Sequence, residues 1–248
     1  FIKFRKASCP DVAVLVDERS LLHLQRGEGF VRKLLNDQRE MFQRSGASIG
    51  LFLQSDVTNR HFPTDCKLYV FMSPYRITDE QRIAIKDKLQ RDGKTLLWMF
   101  APGVCDSRGE PSESSLDLVG MTLRQQSWST ELGSKIADGR HALSDIGNSR
   151  NFGLKERINP SFAVDDDSSG ITTCAEYVSS GSPSLSIRNL DGWKSIFCGE
   201  PYLTLDLFKA ICRASGVHLF TTGTDDVLFA GSGWITIHVS RDGNKLLN

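Results

Sequence analysis

The residues of this chain that could do chemistry begin with a thiol. Gly103-Val104-Cys105 closely follows the apolar run Thr95-Leu96-Leu97-Trp98-Met99-Phe100. The exit of a buried strand is where an α/β fold exposes a nucleophile on a sharp turn. A helix N-terminus and a nearby imidazole would activate a thiol there, which is the chemistry of a Cys-His-acid hydrolase or amidotransferase. Three features oppose that reading. An elbow needs a small residue, usually Gly, two positions after its nucleophile, and Asp106-Ser107-Arg108 stands there instead. Polar residues replace the apolar run that would open the next helix. His218 and His238, in Val217-His218-Leu219 and Ile237-His238-Val239, have no adjacent acid. Cys105, His218 and His238 are therefore the candidates for nucleophile and base, and no residue is assigned as catalytic.

Asp17 and Glu18 close the run Val12-Ala13-Val14-Leu15-Val16, at the carboxyl end of a strand, where open α/β sheets bind ligands. They are candidate ligand-binding residues, with helix capping as the competing role. Four tryptophans, Trp98, Trp128, Trp193 and Trp234, could line a sugar-stacking platform. Trp98 falls mid-strand and reads as core. Trp193 follows the turn Asn189-Leu190-Asp191-Gly192 and is the best exposed candidate, with packing as its alternative. Asp165-Asp166-Asp167-Ser168-Ser169-Gly170 lacks the ligand spacing of a calcium loop and reads as a turn. The six cysteines show no CxxC and no Cys/His pair at metal-ligand spacing, so they read as reduced packing residues and no metal is expected. Neither GxGxxG after the first strand nor GxxxxGK[ST] occurs, and no cofactor is expected.

The elements that must position these residues alternate in the first half of the chain. Val12–Val16, Ile49–Leu53, Leu68–Met72 and Thr95–Phe100 are short continuous apolar runs, the pattern of strands buried on both faces. Between the first two, Phe30, Val31, Leu34, Leu35, Met41 and Phe42 recur at helical steps in a stretch from about Ser20 to Arg44, broken early by Gly27-Glu28-Gly29. Thr78-Asp79-Glu80-Gln81 matches a capping box opening a second helix, with Ile77, Ala84, Ile85 and Leu89 on its apolar face. Short connections between such elements imply a parallel sheet covered by helices. In the second half, 104–115 and 138–151 read as loops and Met121–Trp128 as extended. Thr204–Ser215 reads as a helix. Val217–Phe220, Val227–Ala230 and Trp234–Val239 read as short strands, the last half-buried.

The 248 residues balance 30 basic against 30 acidic side chains, with 40% hydrophobic and 24% charged residues. That composition suits a soluble globular chain with a sizeable core. It gives no long-range attraction for nucleic acid or an anionic membrane, and no apolar run reaches the ~20 residues of a membrane span. The opening Phe1 and the abrupt end at Lys245-Leu246-Leu247-Asn248 lead us to expect a piece of a longer protein, cytoplasmic or secreted according to what precedes it.

Asp92-Gly93-Lys94-Thr95-Leu96-Leu97-Trp98 with Gly103-Val104-Cys105-Asp106, set behind Val12–Glu18, Leu68–Pro74 and Thr78–Leu89, resembles the middle domain of bacterial β-galactosidases of glycoside hydrolase family 42, over about residues 10–106. Gly192-Trp193-Lys194-Ser195, Gly199-Glu200-Pro201, Gly216-Val217-His218-Leu219-Phe220 and Ile237-His238 resemble the tail of similar domains in glycosidase-like bacterial proteins. The resemblance implies a class I glutamine amidotransferase-like fold without its catalytic triad, mediating trimerisation beside a catalytic TIM barrel. The catalytic glutamates of those enzymes lie on the barrel, which needs about 250 residues by itself, so none is carried over to this chain. The resemblance sets the amidotransferase nucleophile at position 105, where a Cys is retained, but His-x-Glu is missing.

The expected fold is thus a single α/β domain over residues 1–248. It is three-layered and flavodoxin-like, of class I glutamine amidotransferase type, with a mainly parallel sheet flanked by helices and extra β-strands in the C-terminal half. The expected function is a non-catalytic structural or oligomerisation domain of a β-galactosidase-like glycoside hydrolase. Its partners would be the catalytic barrel of the same or a neighbouring chain, and two further copies in a homo-trimer. A Cys-dependent amidotransferase-like hydrolase and a carbohydrate-binding module are the alternatives.

Overall fold

A computed structural model describes residues 10–17, 19–23, 28–106, 108, 116–126, 130–144, 146, 150–165, 169–221, 223, 226–231 and 234–248. Strands without polar alternation must be covered on both faces, and the apolar runs of the first half form such strands: β1 (Val12–Val16), β2 (Ile49–Leu53), β3 (Leu68–Phe71) and β4 (Lys94–Met99). They pair in parallel in the order β2-β1-β3-β4. β3 and β4 are buried throughout, whereas β2, at the sheet edge, leaves Leu51 and Leu53 exposed.

The stretch read as one long helix is segmented. A 3-10 turn at Ser20–His23 is followed, after residues outside the described set, by α1 (Glu28–Val31), a π-helical segment (Arg32–Asp37) and α2 (Gln38–Gln43). A π-helical turn carries an extra residue and rotates the apolar stripe. Phe30 and Leu34 consequently pack on one face of the sheet, while Met41 and Phe42 pack on the other. Helix α3 (Asp79–Leu89) begins in the expected box: Gln81 N–H donates to Thr78 Oγ1 (3.2 Å), and Thr78 N–H donates to Gln81 Oε1 (3.1 Å).

The second half departs from a mainly parallel sheet. β13 (Trp193–Cys198) joins β4 in parallel, with Cys198 beside Met99. Beyond it β12 (Pro183–Leu190), β11 (Ile171–Tyr177), β7 (Ser134–Ile136) and β8 (Asn151–Phe152) continue the sheet antiparallel. The result is one mixed nine-stranded sheet. The reason lies in the connections: the two residues Asp191 and Gly192 (φ 75°) join β12 to β13, and a link that short can only make a hairpin. Pairs of short strands lie outside the sheet: β5 (Leu123–Gln126) with β10 (Ser161–Val164), β6 (Thr130–Glu131) with β9 (Arg157–Ile158), and β14 (Val227–Gly231) with β15 (Trp234–His238). Val217–Phe220 forms no strand; Phe220 N–H instead donates to Gly46 O (2.8 Å).

Alternation along the central strands divides the core. Val12, Val14, Val70 and Met99 face α2 and α5 (Leu205–Ala214), where Phe42 meets Phe208 with ring centroids 4.3 Å apart. Ala13, Leu15, Phe71 and Trp98 face α3 and the short α4 (Leu116–Val119). Helices thus cover both faces, and Cys66, Cys174, Cys198 and Cys212 are buried thiols. No described helix is long and apolar enough to cross a membrane.

Phe71 and Trp98 stack at 4.3 Å and 13°, fully buried. Truncating Trp98 to Ala should cost about 3–5 kcal/mol in denaturant unfolding. Thr78→Ala should cost only ~1 kcal/mol, the value of one helix cap.

Candidate functional site

The carboxyl ends of β1, β3, β4 and β13 lie along one edge of the sheet, where a fold of this class places its ligands. At the end of β4 the chain turns sharply at Phe100, whose φ is +64°, a conformation rare for a bulky residue. A strained residue at a strand exit is where a nucleophile elbow presents its reactive atom. Here that position carries a phenyl ring. Phe100 is buried, with its ring 5.8 Å from Phe30, 5.8 Å from Tyr75 and 5.7 Å from Phe162, all edge-on.

Cys105 lies five residues further on, past the Pro102-Gly103 turn. Its N–H donates to Tyr75 O (2.9 Å), and it bridges Arg76 in parallel. It therefore extends the β3–β4 pairing and does not occupy the strained turn. After it, Arg108 N–H donates to Asp106 Oδ1 (2.8 Å); Ser107 and residues 109–115 lie outside the described set.

Asp17 is buried at the exit of β1, where its Oδ2 accepts from Ser20 N–H (3.0 Å) and Ser20 O–H (2.6 Å). Ser20 Oγ in turn accepts from Arg76 N–H (3.0 Å). The carboxylate caps a 3-10 turn and ties the β1 and β3 exits together. Glu18 and Trp128 lie outside the described residues.

The histidines are not brought to this edge. His218 N–H donates to Asp11 Oδ2 (3.2 Å), and its ring Nε2 pairs with Asn248 O (3.1 Å). Asp11 precedes β1, so His218 sits at the amino edge, on the order of 15 Å from the carboxyl edge along a five-residue strand. His238 is exposed on β15. Trp193 opens β13, also at the amino edge, half-buried against the core; Trp98 is core, and Trp234 is exposed on the hairpin. Among the described residues, no group of three His, Cys, Asp or Glu side chains could hold a metal ion.

The acid of this edge is one the sequence reading did not single out. Glu200, two residues after β13, is fully buried. Its Oε1 accepts from Gly133 N–H (2.7 Å) and Ser134 O–H (2.7 Å), and Oε2 has no partner among the described residues. Burial raises its pKa to about 7, although the hydroxyl of Ser134 and the amides of Gly133 and Leu154 favour the charged form. The carboxylate leaves no room for a Cβ at Gly153, whose φ is +97°. Glu200 thereby fastens the loops before β7 and after β8, which wall a cleft of about 330 Å³ lined by Leu132, Gly133, Ser134, Asn151, Phe152 and Lys155 among others. Cys198 stands two residues before it, buried, its thiol pKa raised by burial and by the charge of Glu200. The only signal in the sequence was Gly199-Glu200-Pro201 after a strand.

No protein-family model matches the sequence, and no curated protein sequence matches it. Solved structures share its fold. A β-galactosidase from the haloarchaeon Halorubrum lacusprofundi superposes with a TM-score of 0.67 at 16% identity, over 93% of this chain and 35% of that one. The β-galactosidase of Bacillus circulans sp. alkalophilus gives 0.64 at 12% identity, over 91% of this chain and 34% of the other. A ThuA-like protein from Bacteroides uniformis gives 0.53 at 12% identity, over 85% of this chain and 93% of that one. This chain therefore has the fold of a domain of those β-galactosidases and spans about a third of their length, in line with the resemblance read from its residues.

The position of Glu200 sets a pH dependence. Its pKa rises from 4.5 to about 7 on folding, so the protonated carboxyl favours the fold. That stabilisation is complete below pH 4.5 and disappears as pH climbs through 7. Melting temperature should fall between pH 5 and 8, and Glu200→Gln should flatten the fall in a pH series of thermal melts. Gly153→Ala should destabilise by more than ~1 kcal/mol, through both its φ and the carboxylate.

Proposed function

We propose that this chain is a scaffold domain of a carbohydrate-active protein: an α/β unit of amidotransferase-like fold that packs against a catalytic barrel of its own or a neighbouring chain and performs no chemistry itself. The observation that carries the reading is Phe100. A catalytic elbow holds a strained backbone in order to present a nucleophile to substrate. Here the strained residue is a buried phenyl ring enclosed by three others. The neighbouring strand supports the same conclusion, because its exit offers a buried thiol at Cys198 and an acid at Glu200 that is engaged in holding two loops. The fold shared with β-galactosidases supports a whole protein that is a glycoside hydrolase acting on β-galactosides. A homo-trimer is the assembly that the resemblance implies for it.

The competing reading is a Cys-dependent hydrolase, favoured by the half-buried Cys105 near the β4 exit. Iodoacetamide labelling with peptide mapping separates the two. On the scaffold reading Cys105 reacts within about threefold of an ordinary thiol of unshifted pKa. Cys105→Ser should also leave galactoside hydrolysis by the polypeptide encoded by the full reading frame unchanged. Labelling faster by about a hundredfold or more, together with an amide-hydrolysing activity lost in Cys105→Ser, would replace the scaffold reading with the enzyme.

A further inference from the structure

The loops that Glu200 fastens are tied more firmly than a gap between strands requires. Leu132 N–H donates to Glu156 O (2.7 Å), Val178 N–H donates to Gly133 O (2.9 Å), and the Glu200 carboxylate accepts from Gly133 and Ser134. Along the same loops Gly133 (φ 137°), Gly153 (φ 97°) and Lys155 (φ 55°) hold a left-handed backbone. That conformation is uncommon for a lysine, and strained backbone gathers where ligands are held. Walls cross-tied in this way exist before a ligand arrives, which lowers the ordering cost of binding.

The lining has two characters. Leu132 and Phe152, both buried, and Val178, 71% exposed, supply an apolar surface. Glu131, Asn151 and Lys155 are exposed and line the same cleft. They offer a carboxylate acceptor, an amide that both donates and accepts, and an ammonium donor. The two charges cancel.

We propose that this cleft binds a neutral sugar, one pyranose ring at a time. Such a ring has an apolar C–H face to lay on Leu132, Phe152 and Val178. Its hydroxyls both donate and accept, which Glu131, Asn151 and Lys155 together call for. An anion would meet the carboxylate of Glu131 and a cation the ammonium of Lys155, and like charge is how a site rejects the wrong ligand. A plain hydrocarbon would strip water from the polar side chains and replace none of its hydrogen bonds. The volume of about 330 Å³ lies at the small end of the roughly 300–1,000 Å³ of small-molecule pockets, which suits one ring. The proposal rests on the cleft alone. It involves no chemical step, and it holds for a scaffold and for an enzyme alike.

Two-dimensional ¹H–¹⁵N spectra of the whole chain test it. Methyl β-D-galactopyranoside, methyl β-D-glucopyranoside and methyl α-D-mannopyranoside are titrated separately to ~50 mM, because one ring of about a dozen heavy atoms binds with millimolar affinity. At least one sugar should give saturable shifts confined to the amides of 131–134, 151–155 and 178–179. Lys155→Met and Glu131→Gln each change an exposed side chain, and each should weaken that binding at least about fivefold, the loss of one hydrogen bond. The rest of the spectrum should stay unchanged. Absence of saturable shifts at these amides with all three sugars overturns the proposal. So does binding of acetate, tetramethylammonium or L-leucine at the same amides as tightly as the best sugar. A folded variant of either kind that binds undiminished overturns it too, and if one variant does not fold the other decides. Cys105 labelling is a separate measurement, so the scaffold reading stands or fails independently of these titrations.

Discussion

The sheet changes sense at β13, and the geometry of the candidate site follows from that. β13 is parallel to β4 on one side and antiparallel to β12 on the other. The parallel pairing aligns the two strand exits, so that Phe100 N–H donates to Cys198 O at 2.7 Å. That hydrogen bond helps to hold the left-handed turn at Phe100 in place and sets Glu200 just beyond it. The antiparallel pairing brings β12, β11 and β7 alongside in turn, and β7 delivers Gly133 and Ser134 to the Glu200 carboxylate. A wholly parallel sheet would have placed a helical crossover where those loops now close.

A carboxylate in that position is a balance of opposed terms. Desolvation disfavours the charge, while the Ser134 hydroxyl and the amides of Gly133 and Leu154 favour it. Desolvation prevails, and the pKa rises to about 7. Its charge, when present, also raises the titration of the buried Tyr177 hydroxyl. Tyr177 donates to Phe162 O (2.8 Å), and its hydroxyl occupies the space a Cβ at position 199 would need. Glycine at 199 and 153 is thus the steric condition for bringing an acid and a phenol so close under the sheet edge. Groups packed this way hold loops together.

What the sequence revealed and what it hid divide along physical lines. Periodicity reports burial on two faces, so β1, β3 and β4 were legible as continuous apolar runs, and Thr78–Gln81 as a capping box. It does not report a π-helical turn, which leaves composition unchanged and rotates the stripe between Leu34 and Met41. Nor does it report a dihedral angle. Cys105 drew attention because thiols are reactive, but the strained elbow is at Phe100, a residue type with no chemistry to notice. Glu200 escaped because a Gly-Glu-Pro sequence after a strand looks like an ordinary turn; its partners at 133 and 134 are more than sixty positions away in sequence. Asp17 was legible only as to its place, at a strand exit. The hydroxyl and amide of Ser20 decide its use as a cap. The mixed half of the sheet was obscured for a related reason: strands as short as β7 and β8 have too few residues to show a period.

Where the apolar surface lies bears on what such a molecule can do. At the carboxyl edge, Asp17 caps a turn, Glu200 clamps two loops, and the left-handed residue at the β4 exit is a buried hydrocarbon ring. Of the eleven exposed large apolar side chains among the described residues, six lie between Phe229 and Leu247. An enzyme concentrates unsatisfied polar groups in a hollow, where a developing charge can be met by fixed dipoles. An assembly element concentrates apolar area on a surface that a partner can cover. That physical distinction underlies the scaffold proposal, in which the left-handed turn at Phe100 carries no reactive group.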